Sequence, residues 1–555
     1  MILGAGQLLN GSTLNCDVCI VGGGPAAITV ALELIGTKKT VIMITGGEWN
    51  ETPFNQDLNR GIIGKNTSHE PLEENRRRQF GGASSVWGGR CIPFDPIDFE
   101  KRDWIPNSGW PLTYKELMPY YEKATQLCLA GDFSFNGNDL FKSSPTEIIP
   151  QLDDNNILSW PLEKWSPPIN FARQYKKKLQ DAKNIKVLLN FNVKAINCVD
   201  KKQTVKSVTI ASPSKEIEVL GGCFVLAAGA IENARLLLNS KSTYHLNGLG
   251  NDFDNVGRYY MSHINGTFAE VNPVDRGRLH FNFERDKGVY TRRRWWFSEK
   301  FQRKEKIGNI IMFLHHSGGL NGHRDALFSS VFLAKAMLSI LKEKSPGAIF
   351  GRYNQLKPAI NEHSKNVFDN GFHLIPQIVS LALKRFAKRR LPYILPSIKT
   401  PMLGLYFQAE HMPNRESRIA LSTTDVDALG VPRAVANIAF SDIDVKTVIK
   451  AHNAFVTKYQ AIQAGNVLYN EEKLESYMQN RLHNFNSAAH HLGTTRMAIS
   501  PKEGVVDANC KVFDTDNLYI AGSSVFPTGG HANPTLTIVA LSSRLGQHLN
   551  NNFFK

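Results

Sequence analysis

The chain has 555 residues, 42% of them hydrophobic, and a formal net charge of +15. That length gives a large core and predicts two or more domains, and the hydrophobic fraction is that of a soluble globular protein. No run reaches the ~18 apolar residues of a membrane span, no basic stretch leading into a long apolar one marks a signal peptide, and no nucleic-acid-binding motif accompanies the positive charge.

The charge leaves an anionic substrate or a membrane surface as partners. Much of the excess lies in Arg76-Arg77-Arg78 and in residues 370–409, which contain no Asp or Glu. The seven cysteines are scattered and odd in number, which predicts a reducing compartment and a cytoplasmic location. Cys16 and Cys19 have C-x-x-C spacing, but they fall on a predicted buried strand, where thiols pack as small hydrophobes. No metal-ligating cluster is predicted.

Residues 16–21 alternate toward apolar and predict a buried strand. Gly22, Gly24 and Ala27 then occupy the three small positions of a G-x-G-x-x-G/A turn, with Pro25 and Ala26 between them. The first glycine permits the tight turn, the second lets backbone approach a pyrophosphate, and the third small residue lets helix pack on strand. A helix predicted over 26–35 faces the phosphates with its N-terminus, and residues 40–45 predict a second strand. The strand–turn–helix–strand order is a βαβ unit and assigns Gly22, Gly24, Pro25, Ala26 and Ala27 to a dinucleotide. Thr45 stands where an acidic residue is expected to bind the ribose hydroxyls. The nearest carboxylate is Glu48, and no Arg beside Thr45 favours a 2′-phosphate, so NADP is disfavoured.

Residues 55–100 are loop-rich around Gly81–Gly89, and 114–130 predict a helix. Residues 186–220 alternate like strands and lead to an apolar strand ending in Ala227-Ala228-Gly229, followed by a helix. Residues 270–480 carry mixed patterns. A last strand is predicted at 517–522 and a last helix at 534–549. Strands of the nucleotide-binding type at both ends and in the middle predict a discontinuous domain over 14–100, 186–270 and 481–555. Residues 101–185 and 271–480 are then a second, substrate-binding domain.

Two segments near the C-terminus offer proton chemistry: His490-His491-Leu492-Gly493-Thr494 and Gly530-His531-Ala532-Asn533-Pro534-Thr535. Histidine suits a base working near neutral pH. Asn533-Pro534 equally suits a helix start, with Asn as N-cap and Pro as the first helical residue.

Six segments, in order and spanning nearly the whole chain, resemble the glucose-methanol-choline (GMC) family of flavin oxidoreductases. They are 21–27, 81–89, 227–235, 255–261, 490–497 and 517–537. Residues 270–480 resemble the family only at 408–414, and the Asn-Pro-Thr-Leu-Thr form at 533–537 resembles pyranose oxidases and bacterial sugar dehydrogenases. The resemblance implies an α/β fold: a Rossmann-type, discontinuous FAD-binding domain with an inserted α+β substrate-binding domain. It implies oxidation of an alcohol, a sugar or glycoside in this branch, with hydride transfer to flavin N5. His490 matches the family's base through the His-x-x-Gly-Thr spacing, and Asn533 matches the second catalytic position. The cofactor set extends to Gly81, Gly82, Ser84, Ser85, Val86, Ala228, Gly229, Gly522, Ser523, Asn533, Pro534 and Thr535. His491 and His531 are pocket candidates, whereas His263 and His411 have no role beyond packing or a pocket wall. In pyranose oxidases a histidine just before Trp bonds covalently to the flavin; here Val86 precedes Trp87, so FAD is expected to be noncovalent. The electron acceptor stays open between oxygen, a quinone and a carrier protein. A nonredox, FAD-retaining lyase and an NAD- or nucleotide-binding module stand as alternatives.

Residues 326–341 are apolar with Lys335 as the lone charge. Residues 372–391 join Leu374, Ile375, Ile378, Val379, Leu381 and Leu383 to Lys384, Arg385, Lys388, Arg389 and Arg390. Segment 325–395 is read either as a core helix with a solvated basic end, or as a peripheral contact with an anionic membrane surface, which would be the inner face for a cytoplasmic protein.

Overall fold

The computed structural model describes the chain except at residues 66, 143–146, 200–203, 243, 317–325, 342, 344, 370–373, 375, 377, 378, 380–382, 384–386, 388, 397–401, 486–488, 554 and 555. Strands and helices build a mixed α/β fold around an eight-stranded sheet. Its strand order is Ile2–Gly4, Ile185–Leu189, Val41–Thr45, Thr13–Val21, Lys215–Leu226, Val205–Ser212, Asn192–Cys198, with Leu518–Ile520 also paired to Lys215–Leu226. The central strands are covered on both faces. Val18–Val21, Val41–Ile44 and Phe224–Leu226 are therefore unbroken apolar runs, all buried, as a parallel sheet between helices requires.

The first βαβ unit forms as predicted in kind. Thr13–Val21 pairs in parallel with Val41–Thr45, and the helix Pro25–Glu33 crosses between them. The strand begins three residues before position 16, and the helix ends at Glu33. The predicted helix 114–130 ends at Leu127. Three helices pack together beneath the sheet: Pro25–Glu33, Tyr114–Leu127 and Thr535–His548. Gly546 lets two of them touch, because a Cβ there would stand 2.5 Å from Glu33 Cβ. Lys123 and Ser543 both bond the Glu33 carboxylate. Through this packing the N-terminus of the last helix reaches the same place as the dinucleotide turn.

A six-stranded sheet lies apart from the first, in the order Gly465–Leu468, His263–Pro273, Leu403–Glu410, Ile310–His316, Trp295–Phe297, Ile157–Leu158. The domain boundary expected at 270 thus falls inside a strand of this sheet, His263–Pro273. Alternation along Leu403–Glu410 decides what it contributes. Leu403, Leu405, Phe407 and Ala409 enter the core under the helix Asp442–Ala461, so Tyr406, Gln408 and Glu410 face the opposite side. A four-stranded sheet, Glu284–Asp286, Val289–Arg293, Leu162–Trp165 and Arg90–Cys91, sets Arg90 across from Trp165 and Arg292 across from Glu163.

The helix Ala326–Leu341 is not a core helix: only Ala326, Ser329 and Ala336 are buried. It packs on the helix Pro346–Asp369. Leu374 is buried, while Val379 and Leu383 are exposed. Ile375, Ile378, Leu381, Lys384, Arg385 and Lys388 lie outside the described residues. Arg389 is not part of a solvated basic end, since its guanidinium donates to the carbonyls of Trp165 and Leu129. No helix among the described residues is long and apolar enough to cross a membrane.

Candidate active site

A cavity of about 600 Å³ runs from the dinucleotide turn to the His490–Asn533 region. Gly22 must be glycine: its φ is +133°, and a Cβ would stand 2.2 Å from the Ala227 carbonyl oxygen. Gly24, Gly229 and Gly522 line the cavity, and a Cβ at each would meet no protein atom closer than 4.0 Å. Bare backbone thus faces the space at three points. The N-terminus of the nine-residue helix Pro25–Glu33 opens into it, which suits a pyrophosphate. The cavity fits a dinucleotide.

Pro25, Ala26, Thr45, Gly82, Ser84, Val86, Ala228, Ser523, Pro534 and Thr535 line it as expected. Gly81, Ser85 and Ala27 do not. Gly81 donates to the Gly23 carbonyl, and Ser85 Oγ closes on the Gly82 carbonyl. Ala27 is fully buried behind the turn. All three shape the cradle from behind it. The sequence reading missed the basic wall at this end. Arg76, Arg77 and Arg78 line the cavity, and Arg76 and Arg78 pair with Glu232 at 3.6 and 2.9 Å. Burial raises the Glu232 pKa, but Arg78, Arg235 and Arg76 outweigh it and hold the carboxyl down at about 2. Burial brings Arg76 to about 10. The triple Arg run was the visible signal.

The other end is set by strand register. Leu492 bridges Met261 in antiparallel sense, which places His490 opposite His263. Gly493 is what lets the chain come this close: at φ +82°, a Cβ would stand 2.2 Å from the Tyr259 carbonyl oxygen. A single line of hydrogen bonds follows. His263 Nε2 bonds the Gly530 carbonyl at 3.0 Å, and His263 Nδ1 bonds His490 Nδ1 at 2.7 Å. His490 Nε2 bonds Asn533 Nδ2 at 3.1 Å. Asn533 Oδ1 accepts from Gln408 Nε2 at 3.3 Å, and Gln408 Oε1 accepts from Arg90 at 3.1 Å.

The two ends of this line fix every proton in it. A carbonyl only accepts and a guanidinium only donates. His263 therefore carries its proton on Nε2 and accepts at Nδ1. His490 carries its proton on Nδ1, so its Nε2 holds a lone pair beside the Asn533 amide. Both rings are neutral. Burial, with His531 nearby, lowers His263 to about 3. Burial, His263, Arg90 and His491 hold His490 well below 6.5.

Three expectations are corrected here. His263 is no mere pocket wall, because it fixes the tautomer of His490. Asn533 is not the N-cap: Pro534 takes that position, without a side-chain cap bond, and the Asn533 side chain is spent on His490 and Gln408. His531 does not line the cavity. It is fully buried, its Nε2 bonds Asp95 at 3.0 Å, and its backbone carbonyl steadies Gln408. His491 does line the cavity, its ring beside Tyr260. His411 lies outside it, bonding the Ala439 carbonyl and the Ser262 amide.

A cavity that fits a dinucleotide thus ends at a buried, neutral histidine whose tautomer is fixed by its partners. Residues 413–542 match the family model described as GMC oxidoreductase. The chain is 21% identical to the fructose dehydrogenase large subunit of Gluconobacter japonicus, over 97% of this chain and 98% of that one. It is equally, 21%, identical to 2-methyl-1,2-propanediol dehydrogenase of Mycolicibacterium austroafricanum, over 97% and 95%. Among solved structures, a pyridoxine 4-oxidase from Mesorbium loti shares the fold at TM-score 0.54 and 17% identity, covering 96% of this chain and 99% of its own. The C-terminal part of the chain thus resembles GMC oxidoreductases, and the relatives that match nearly its whole length are dehydrogenases named for a sugar and an alcohol.

Proposed function

We propose that the chain oxidises the CH–OH group of a small-molecule alcohol, a sugar or glycoside, with noncovalently bound FAD and with His490 as the base. The observation that carries this reading is the fixed hydrogen-bond line that leaves a lone pair on His490 Nε2 at the end of the dinucleotide cradle. FAD supplies the acceptor for the substrate's hydride, at N5 of its flavin.

The chain's own residues do the rest. Gly22–Ala26 and the helix Pro25–Glu33 hold the pyrophosphate, with Thr45 and the Arg76–Arg78 wall toward the ribose. A substrate hydroxyl replaces the direct hydrogen bond between His490 Nε2 and Asn533 Nδ2 and takes both as its partners. Asn533 Nδ2 donates to its oxygen, and His490 Nε2 takes its proton. His490 keeps its Nδ1 proton on the neutral His263, so the new cation stays hydrogen-bonded at both ring nitrogens. Burial disfavours that cation, and the proton passes on through the cavity. The nonredox lyase and the NAD module give way to this reading.

The architecture proposed with it is a Rossmann-type FAD-binding domain, discontinuous over 14–100, 186–270 and 481–555, with 101–185 and 271–480 as the substrate-binding part. Its support is the pairing of Leu518–Ile520 with the strands of the N-terminal βαβ sheet.

Val86, 56% exposed, faces the cavity where a covalent link would need a nucleophile, and valine has none. Acid precipitation of the purified enzyme releases a yellow chromophore into the supernatant. Colour retained in the pellet shows a covalent bond and refutes this part of the reading.

We also propose peripheral contact with an anionic membrane surface through residues 325–395. The helices Ala326–Leu341 and Pro346–Asp369 leave Met337, Leu338, Leu341, Ile349, Phe350 and Phe368 exposed, with Lys335, Lys357 and Lys365 also exposed on the pair. Apolar area beside basic side chains is what such a surface attracts. In a flotation assay at low salt the protein rises with vesicles containing phosphatidylglycerol; protein left at the bottom removes the membrane from the reading.

A further inference from the structure

We infer that the substrate carries a carboxylate, and that Arg90, with Arg292 and Arg294 behind it, is the site that takes it. This inference rests on the cavity being the site of alcohol oxidation.

Arg90 lines the cavity beside Trp165 and Tyr393. One carboxylate, Glu163, serves two arginines, with Arg90 on Oε1 and Arg292 on Oε2, the latter at 2.9 Å. Arg294 is 2% exposed and forms no ion pair among the described residues. Asp95 lies within electrostatic reach of it, but the Asp95 carboxylate is bonded to His531 and Asn309. The neighbouring charges are balanced within themselves: Arg102 with Glu410, Lys164 with Asp286, Arg293 with Glu284. Burial, Asp95 and Glu410 push the Asp98 carboxyl well up, and its two oxygens accept from the Asp95 amide and Asn309. Among the described residues Glu163 is thus the one carboxylate in ion-pair contact with Arg90, Arg292 and Arg294. Buried charge is costly unless it is compensated.

The donors point to the same deficit. Arg90 Nε, Arg292 Nε and Nη1, and Arg294 Nε and Nη1 are buried and have no hydrogen-bond partner among the described residues. Buried polar groups are normally paired, so unpartnered donors on three adjacent arginines mark a missing acceptor. Aromatic rings hold the planes in place. The Arg292 guanidinium carbon lies 3.7 Å from the Phe313 ring centre, 5.3 Å from Tyr393 and 5.7 Å from Trp165. A guanidinium so fixed presents a planar fork that matches a carboxylate.

The distance to the chemistry sets the size of the substrate. Arg90 reaches Asn533 through one side chain, Gln408. A carboxylate at Arg90 and a hydroxyl between His490 and Asn533 are then about one sugar ring apart. The substrate class is a hydroxylated acid of sugar size, such as a uronate.

The test is binding to the holoenzyme, followed by perturbation of its visible spectrum. Glucuronate and galacturonate are each titrated against their methyl esters, which remove only the charge; glucose 6-phosphate separates a carboxylate from a phosphate. The acids bind at least ~10-fold tighter than the esters, and added NaCl narrows the gap. In Arg90→Gln and Arg292→Lys the gap shrinks to within about 2-fold. The wild-type comparison stands by itself if either variant fails to fold. No preference for acid over ester in the wild type, including no binding of either, overturns the inference, and so does a preference confined to the phosphate. Anaerobic flavin reduction separates this from the underlying reading. Neutral sugars oxidised without any charge preference sink the carboxylate site alone. A charge preference with no reduction by any alcohol sinks the oxidation reading and leaves the site standing.

Discussion

His490→Ala slows flavin reduction by ~10²–10⁴-fold while FAD stays bound, the loss expected when a positioned base is removed. The residues proposed to hold the cofactor, Gly22–Ala26, Thr45 and Arg78, are unchanged in this variant, so the visible spectrum of the oxidised enzyme is retained. Stopped-flow reduction under anaerobic conditions reads the rate. The electrostatics add a pH signature. A base must be neutral to work, and burial, His263 and Arg90 hold His490 neutral well below its ordinary value of 6.5. In the wild type the reduction rate therefore stays flat as pH falls through 6.5, and declines only further down. A midpoint near 6.5 would place the base in a wetter, less positive setting than this one. Near-normal reduction in His490→Ala, with His491→Ala or His531→Ala far slower, reassigns the role.

Asn533→Asp costs ~10²–10³-fold at neutral pH, the scale of losing one preorganised donor to a developing oxyanion. Two effects act together. The amide that donates to His490 Nε2, and to the substrate oxygen, becomes a group that only accepts. A carboxylate 3.1 Å from an imidazole nitrogen also favours the protonated ring and raises its pKa. His490 is then charged at neutral pH and is no base. The sign of this shift is testable: activity of the variant rises with pH where the wild type is flat. A variant as fast as the wild type, or one equally slow at all pH values, removes Asn533 from the donor role.

The local signals were readable wherever backbone geometry demands a residue type. Gly22 marks the turn because few residues tolerate φ near +133° with a carbonyl 2.2 Å away, and Gly24 leaves bare backbone facing the cavity. The spacing of His490 to Gly493 reflects the close pass over Tyr259. Val18–Val21 and Val41–Ile44 read as buried strands because both faces of that sheet are covered. Boundaries slipped by two or three residues, as at Thr13 and Glu33, because helix and strand ends are settled by neighbours more than by propensity. The cap reading of Asn533 stood beside the catalytic one because Asn before Pro is what a helix start looks like, and only the approach of His490 diverts its side chain.

By itself the sequence determined the βαβ unit, the glycine turn and the order of the family segments, and it singled out His490 as the candidate base, since each depends on residues adjacent in the chain. Only the tertiary structure decided which side chains surround His490. His263, Gln408 and Arg90 come from three strands far apart in the chain, and no local pattern links them. They meet because antiparallel register sets His263 opposite His490 and because alternation turns Gln408 away from the core that takes Phe407 and Ala409. The proton positions along that line, the removal of His531 from the cavity and the unbalanced arginines around Glu163 follow from the same meeting. Hydrogen-bond direction and charge balance are properties of groups in contact, and contact between distant strands is set by packing.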